Sequence, residues 1–270
     1  MNAIVETVET RMRELGLEFM AAGLESFLES QTRQDNSLAQ SLADLMEIES
    51  LPRKERAARS RLKLSGMPAI KRIEDFELDW LNGGMTRRQL AELSSLAFVA
   101  RKENLILMGP SGLGKTHLML ALAHKACMTG HTAWYTSCID LMEDLTRARE
   151  QGRLKRRLTW LRKPHIILVD EVGYEELTRE QANLFFQLVN ARYEHGSMIL
   201  TTNKAFGRWA EILNDEAIAT ATLDRLLHHA HVFSLKGDSY RMKDRMKIGV
   251  VDPVETPKKR NSETAENRNF

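Results

Sequence analysis

Beyond residue 85 the chain alternates short apolar runs with longer stretches of helical spacing. Asn104-Leu105-Ile106-Leu107-Met108 is an apolar run of strand length. Residues 116–128 follow it with Leu118, Leu120, Leu122, Ala123 and Ala126 spaced for one helix. Further strands are expected at 132–136, 166–169, 198–201 and 232–235. Helices are expected over 87–101, capped by Thr86, and from 139 to about 160 with a break at Gly152. Two more are expected over 179–193, with Leu184, Phe185, Leu188 and Val189 on its apolar side, and over most of 209–229. Strands that alternate with helices predict an α/β fold: a central parallel five-stranded sheet with helices on both faces.

The first 80 residues read differently. Val5, Val8, Met12, Leu15, Phe19 and Met20 recur at helical spacing, and a second amphipathic stretch runs over 38–48 with Leu42, Leu45 and Met46 apolar. Pro52 is placed to start a further helix, and Gly66-Met67-Pro68 ends it. The expectation is a small all-helical N-terminal domain over 1–80, without a complete core of its own and covered by a partner or a sister subunit. The α/β domain then spans 81–250. Residues 251–270, polar and carrying Pro253 and Pro257, are expected to form a disordered tail.

Composition adds little: of 270 residues 43% are hydrophobic and 28% charged, ordinary for a globular chain. No apolar run approaches a membrane span, and the first residues lack a signal-type apolar core, so no membrane association and a cytoplasmic location are expected. The two cysteines, Cys127 and Cys138, fit a reducing compartment and read as packing residues. The net charge is only +2, but its distribution is uneven. Arg53, Lys54, Arg56, Arg59, Arg61 and Lys63 stand against Glu55 alone; Arg147, Arg149, Arg153, Lys155, Arg156, Arg157, Arg162 and Lys163 stand against Glu150 alone. Such clustering is the footprint of a surface that meets a phosphate backbone.

The most informative stretch is Gly109-Pro110-Ser111-Gly112-Leu113-Gly114-Lys115-Thr116, a full match to G-x-x-x-x-G-K-[ST] set between a strand and a helix N-terminus. Backbone N–H groups of such a loop close around a polyphosphate; Lys115 would reach the β- and γ-phosphates, and Thr116 would put its hydroxyl on Mg²⁺. The third strand ends in Val169-Asp170-Glu171, which supplies a second group for Mg²⁺ in Asp170 and a base for the attacking water in Glu171. In a parallel sheet the strand ends share one ligand-binding edge, where Asn203 of Thr201-Thr202-Asn203 is suited to hold that water. Arg225 is a candidate to stabilise charge on the transferring phosphoryl group; pointing away from its own nucleotide, it would have to serve a neighbour's. Arg241 is a second candidate. His228, His229 and His231 read as solvent-facing or capping residues, not metal ligands, and Phe206 with Trp209 as core.

Taken together, residues 109–116 with His117-Leu118, residues 169–174, and residues 201–203 make the chain resemble an IstB-like ATPase, the helper of an insertion-sequence transposase. The most specific segments are 223–232 and 237–241. The chain is also similar to the helicase loader DnaC and the initiator DnaA within the AAA+ superfamily. The resemblance implies a Walker A loop at 109–116 with His117 beside it, a Walker B pair at Asp170 and Glu171, sensor 1 at Asn203 and an arginine finger at Arg225. It implies ATP and Mg²⁺ as ligands, non-specific binding of double-stranded DNA, ATP-bridged homo-oligomers, and recruitment or stimulation of a partner transposase. Residues 139–162 correspond to an extra helical insertion that touches DNA, which assigns Arg147, Arg149, Arg153, Lys155, Arg156 and Arg157 to DNA contact. Little sequence follows Arg241, so the usual helical lid is expected to be missing and a second-sensor role for Arg241 is doubtful. A DnaC-like helicase loader is the alternative within the class. A small-molecule P-loop kinase and a non-hydrolysing ATP switch are the alternatives outside it.

Overall fold

The computed structural model describes residues 2–31, 36–78 and 81–237. Its centre is a five-stranded sheet of β1 (Asn104–Met108), β2 (Ala133–Ser137), β3 (Ile166–Val172), β4 (Ser197–Thr202) and β5 (Ala230–Ser234). The strands lie in the order β2-β3-β4-β1-β5, every neighbouring pair parallel. Side chains along each strand alternate between two cores, as the two-residue period of a strand requires. Leu105 and Leu107, Ile166 and Leu168, and Ile199 face one core. Ile106, Ile167 and Val169, and Met198 and Leu200 face the other.

The first core is closed by α4 (Arg87–Ser94), α5 (Ala97–Ala100) and α6 (Lys115–Met128). The second is closed by α7 (Cys138–Glu150), α8 (Leu154–Leu161), α9 (Arg179–Arg192), α10 (Trp209–Leu213) and α11 (Glu216–Leu227). Cys127 and Cys138 are both buried and unpaired, and Trp209 is fully buried with Phe206 packed beside it. Thr86 caps α4 in a capping box with Gln89. Gly152, at φ +65°, separates α7 from α8. The single helix expected over 87–101 is instead two, because Leu96 turns into the left-handed region at φ +60° and drops its side chain into the core.

Ahead of the sheet lie α1 (Asn2–Glu14), α2 (Glu18–Gln31) and α3 (Leu38–Leu64). The apolar spacing that ran on to Met20 is interrupted at Gly16, where the chain turns at φ +71°. Pro52 does not start a helix but lies inside the 27-residue α3. A proline there leaves the carbonyl four residues back without its donor, a cost of about 3 kcal/mol that tertiary contacts must offset. Glu49, one turn earlier and buried, supplies them by accepting from the Phe19 and Met20 amides at 2.8 and 2.9 Å, the unpaired first-turn donors of α2. Burial acts to raise the Glu49 pKa, but the donors from Met20, Arg53 and Phe19 outweigh it and hold the carboxyl below its ordinary value. Arg53 pairs with Glu49 and donates to the Gly16 carbonyl, closing the turn between α1 and α2. Met20, Leu24 and Leu45 form a small buried apolar cluster in this bundle. Leu42 and Met46, expected with Leu45 on one apolar face, are exposed. Toward its C-terminus α3 leaves the bundle and docks on the sheet unit. Arg61 Nε donates to the Cys127 carbonyl at 2.8 Å, and the Ser65 carbonyl accepts from the Tyr135 amide at 2.8 Å on the edge of β2.

One buried cation organises the far edge of the sheet. The Arg192 guanidinium donates to the carbonyls of Leu161, Arg162, Pro164, His165 and Ser197. Those carbonyls belong to the end of α8 and the entries to β3 and β4. Burial lowers its pKa to about 10, so it stays charged at neutral pH. Arg192→Met removes all these donors and leaves buried acceptors unpaired; we expect a loss of roughly 3 kcal/mol or more, read as a shifted midpoint in chemical denaturation.

Candidate functional site: a phosphate-binding loop at the strand ends

The loop 109–114 leaves the end of β1 and enters α6 directly, with Gly114 as the N-cap at φ +77°. Its closeness to neighbouring groups explains the glycines. A Cβ at Gly114 would lie 2.9 Å from the Phe76 ring, and one at Gly109 would collide with the Leu235 carbonyl. The loop therefore offers backbone N–H groups at the positive end of a helix, the arrangement that binds phosphate. Lys115 folds back over it, its Nζ 2.6 Å from the Gly109 carbonyl and 2.7 Å from that of Pro110.

Beneath the loop the first turn of α6, β2 and β4 each bring one hydroxyl onto a carboxylate of β3. Asp170 is buried, with Oδ1 accepting from Thr116 Oγ1 at 3.0 Å and from Thr201 Oγ1, and Oδ2 accepting from Tyr135 Oη at 3.2 Å. Burial, with Asp170 close by, pushes the Tyr135 phenol well above its ordinary value, so it remains a donor. Next to it Glu171 adopts φ +61° within a register shift between Val169 and Val172, and its amide donates to Thr201 Oγ1 at 2.8 Å. A non-glycine residue in that region stores of order 1 kcal/mol of strain, a cost that recurs at functional positions. Here the twist turns the Glu171 carboxylate off the strand and into an open cavity of about 600 Å³.

That cavity is lined by residues 111–117, by Glu171, Tyr174 and Asn203, and by side chains from the segment that follows α3, among them Ile70, Phe76 and Glu77. Lys115, Thr116, His117, Glu171 and Asn203 thus share one cavity, with Asp170 beneath it. The donor set suits a magnesium–nucleotide: a hydroxyl and a carboxylate 3.0 Å apart beside a glycine cradle are hard oxygen ligands next to a phosphate seat. His117 Nε2 lies 3.3 Å from the Arg72 carbonyl, and its ring leans on Phe76. Thr201, Tyr135 and Phe76 are the residues that the pattern of the sequence did not single out.

Arg225 is elsewhere. It sits near the C-terminus of α11, whose Leu226 carbonyl accepts from Asn104 Nδ2 at 3.0 Å. Asn104 opens β1, so Arg225 lies at the edge of the sheet opposite the loop, roughly 15 Å away by strand length alone. Arg241 lies outside the described residues, as does the stretch 251–270. His231 Nε2 is 2.8 Å from Glu103 Oε2, and His228 bonds Tyr193.

The basic runs divide. Arg157 is drawn into the protein, its guanidinium 5.1 Å from the Trp134 ring and 4.3 Å from that of Trp160, with Asp144 at 2.6 Å. Arg149 pairs with Glu180. Arg147, Arg153 and Arg156 line an open hollow between α7 and α8 with Trp160, and Lys155 is exposed on α8. In the earlier run Arg53 and Arg61 make the internal bonds described above, and Arg56 lies over the Phe19 ring.

No helix among the described residues is long and apolar enough to cross a membrane. The profile of the IstB-like ATP binding proteins matches residues 10–248. An insertion sequence IS21 ATP-binding protein from Pseudomonas aeruginosa is 40% identical over 250 residues, which is 93% of this chain and 94% of that one. The corresponding protein of insertion sequence IS5376 from Geobacillus stearothermophilus is 37% identical, covering 89% and 95%. Among solved structures, AMPPCP-bound DnaA from Aquifex aeolicus matches with a TM-score of 0.52 at 17% identity over 69% of this chain and 56% of its own. DnaI matches at 0.50 and 20% identity, covering 63% and 90%. The architecture is therefore that of the AAA+ ATPases, and the chain belongs to the family of IstB-like ATP-binding proteins.

Proposed function

We propose that this protein is an ATPase that assembles on double-stranded DNA into ATP-bridged homo-oligomers in the cytoplasm, and there recruits or stimulates a partner transposase. In this reading the amides of residues 109–114 and the ammonium of Lys115 bind the triphosphate. Thr116 and Asp170 hold Mg²⁺, which when bound neutralises charge on the β- and γ-oxygens. Thr201 and Tyr135 fix the Asp170 carboxylate. Glu171 orients and deprotonates the attacking water, with Asn203 at the same edge. Arg225 of an adjacent subunit meets the developing charge.

The observation that carries the proposal is the division of the site. Among the described residues no arginine lines the loop cavity, and Arg225 lies at the opposite edge of the sheet. A subunit stacked head-to-tail on the next brings those two edges together, which makes ATP a bridge and ties assembly to its presence. The close identity to insertion-sequence ATP-binding proteins over nearly the whole chain favours the transposition helper over the helicase loader, for which the likeness is one of fold.

The exposed cations Arg147, Arg153, Lys155 and Arg156 are the proposed grip on DNA. Four phosphate contacts per subunit predict a fall in affinity of about 100-fold between roughly 50 and 200 mM salt, with little sequence preference. Electron microscopy and filter binding with long duplex, comparing ATP with ADP, test the proposal. Ordered assemblies on duplex in ATP alone are expected. A protein that remains monomeric on duplex with either nucleotide refutes it.

A further inference from the structure

Arg225 has a partner that neither the loop motif nor the family likeness points to. Its Cζ stands 4.8 Å from the centre of the Tyr193 ring. Tyr193 is the C-cap of α9, where the chain leaves helical geometry at φ −52°, ψ 124° while its amide still donates to the Val189 carbonyl. The ring is therefore tied to a fixed backbone. Its other end is tied as well: Tyr193 Oη lies 2.9 Å from His228 Nδ1, three residues beyond Arg225 in the chain. His228 in turn packs edge-on against His229, ring centres 4.2 Å apart. A tyrosine held at both ends on α9 thus supports a guanidinium carried by α11.

We propose that Tyr193 is the positioning residue for Arg225, holding the guanidinium ready for the triphosphate of the adjacent subunit. The inference rests on the shared-site reading of Arg225 above. An arginine side chain has many rotamers of similar energy, and one that must meet a neighbour's phosphate loses that freedom on contact. An aromatic face, favoured by a cation and more so by the planar guanidinium, removes much of it beforehand. The hydroxyl bonded to His228 keeps the ring from turning away. Tyr193 itself touches no phosphate in this arrangement; its effect passes through Arg225.

The test uses the full chain with ATP, Mg²⁺ and duplex DNA. Tyr193→Leu is expected to lower hydrolysis about tenfold, to leave the affinity for a fluorescent ATP analogue unchanged, and to weaken ATP-dependent assembly measured by sedimentation. Tyr193→Phe, which keeps the ring, recovers most of the activity. In an Arg225→Ala background Tyr193→Leu has no further effect, and admixed Lys115→Ala subunits, whose Tyr193 and Arg225 are intact, restore hydrolysis to Tyr193→Leu. Simple packing between α9 and α11 predicts the reverse: an added loss in the double variant and no rescue by mixing, either of which overturns the proposal. Thermal unfolding shows whether Tyr193→Leu folds. Should it not, Tyr193→Met takes its place as the variant without a ring, and hydrolysis equal to that of the unsubstituted chain then overturns the proposal. Arg225→Ala measured in parallel separates the two levels: full hydrolysis by that variant sinks the shared site itself, whereas its loss together with an unaffected Tyr193→Leu sinks only the role of Tyr193.

Discussion

Glu171→Gln is expected to bind ATP as the unsubstituted chain does and to hydrolyse it about 100- to 10,000-fold more slowly, the range lost with a general base. The substitution keeps side-chain length and hydrogen-bonding reach and removes only basicity. It also leaves the backbone problem as it was: glutamine at φ +61° meets the same steric cost as glutamate, and the Glu171 amide still donates to Thr201 Oγ1. Stability should therefore stay within about 0.5 kcal/mol of the parent. Asp170, with its own hydroxyl partners, is unaffected, so the proposed magnesium ligands remain. If ATP holds subunits together and hydrolysis releases them, a variant that binds but does not hydrolyse accumulates on DNA. Single-turnover hydrolysis and the lifetime of the DNA complex after dilution measure the two halves of this expectation. Turnover close to that of the parent would remove Glu171 from the chemistry. Slow turnover with a short-lived complex would separate hydrolysis from release.

The sheet and its loop were legible in the sequence because both are written locally. The apolar run of Asn104–Met108 coincides with β1, and the motif that follows fixes its own geometry through Gly109 and Gly114. The third strand was read only to Val169, since Asp170 and Glu171 break the apolar pattern, yet pairing resumes at Val172 across the register shift. The twist that aims Glu171 into the cavity is a consequence of that shift and leaves no trace in composition. Thr201 and Tyr135 were hidden for another reason: each is an ordinary strand residue whose role appears only when neighbouring strands bring it to Asp170. Arg192 carries no signal of its own in the sequence, because its five carbonyl partners come from two separate segments, 161–165 and Ser197. Charge runs were the least reliable signal. Within them Arg53, Arg61 and Arg157 turn inward to carbonyls, carboxylates and rings, while Arg147, Arg153, Lys155 and Arg156 stay on the surface; spacing alone does not distinguish the two.

Mixing two inactive proteins is expected to produce activity. Arg225→Ala alone should lose about 1,000-fold or more in hydrolysis, the usual consequence of removing an arginine from a phosphoryl-transfer site. Lys115→Ala alone should fail to bind the triphosphate, because the ammonium that lies over the loop is the one proposed to meet it. Each variant keeps what the other lacks: the first a complete loop cavity, the second a complete Arg225. In a head-to-tail array a working site needs an Arg225→Ala subunit on the nucleotide side and a Lys115→Ala subunit on the arginine side. With equal amounts and random order about one interface in four meets that condition, so hydrolysis should return to roughly a quarter of the parent rate. Recovery should also peak at equal proportions and fall toward either pure protein, a dependence that neither contamination nor partial unfolding produces. An arginine acting within its own subunit gives no recovery at any ratio. The distance between Arg225 and the loop along β1 already argues against that arrangement. Mixed assemblies, verified by pulling down one tagged variant with the other, that hydrolyse ATP no faster than the sum of their parents would end the case for a site shared between subunits.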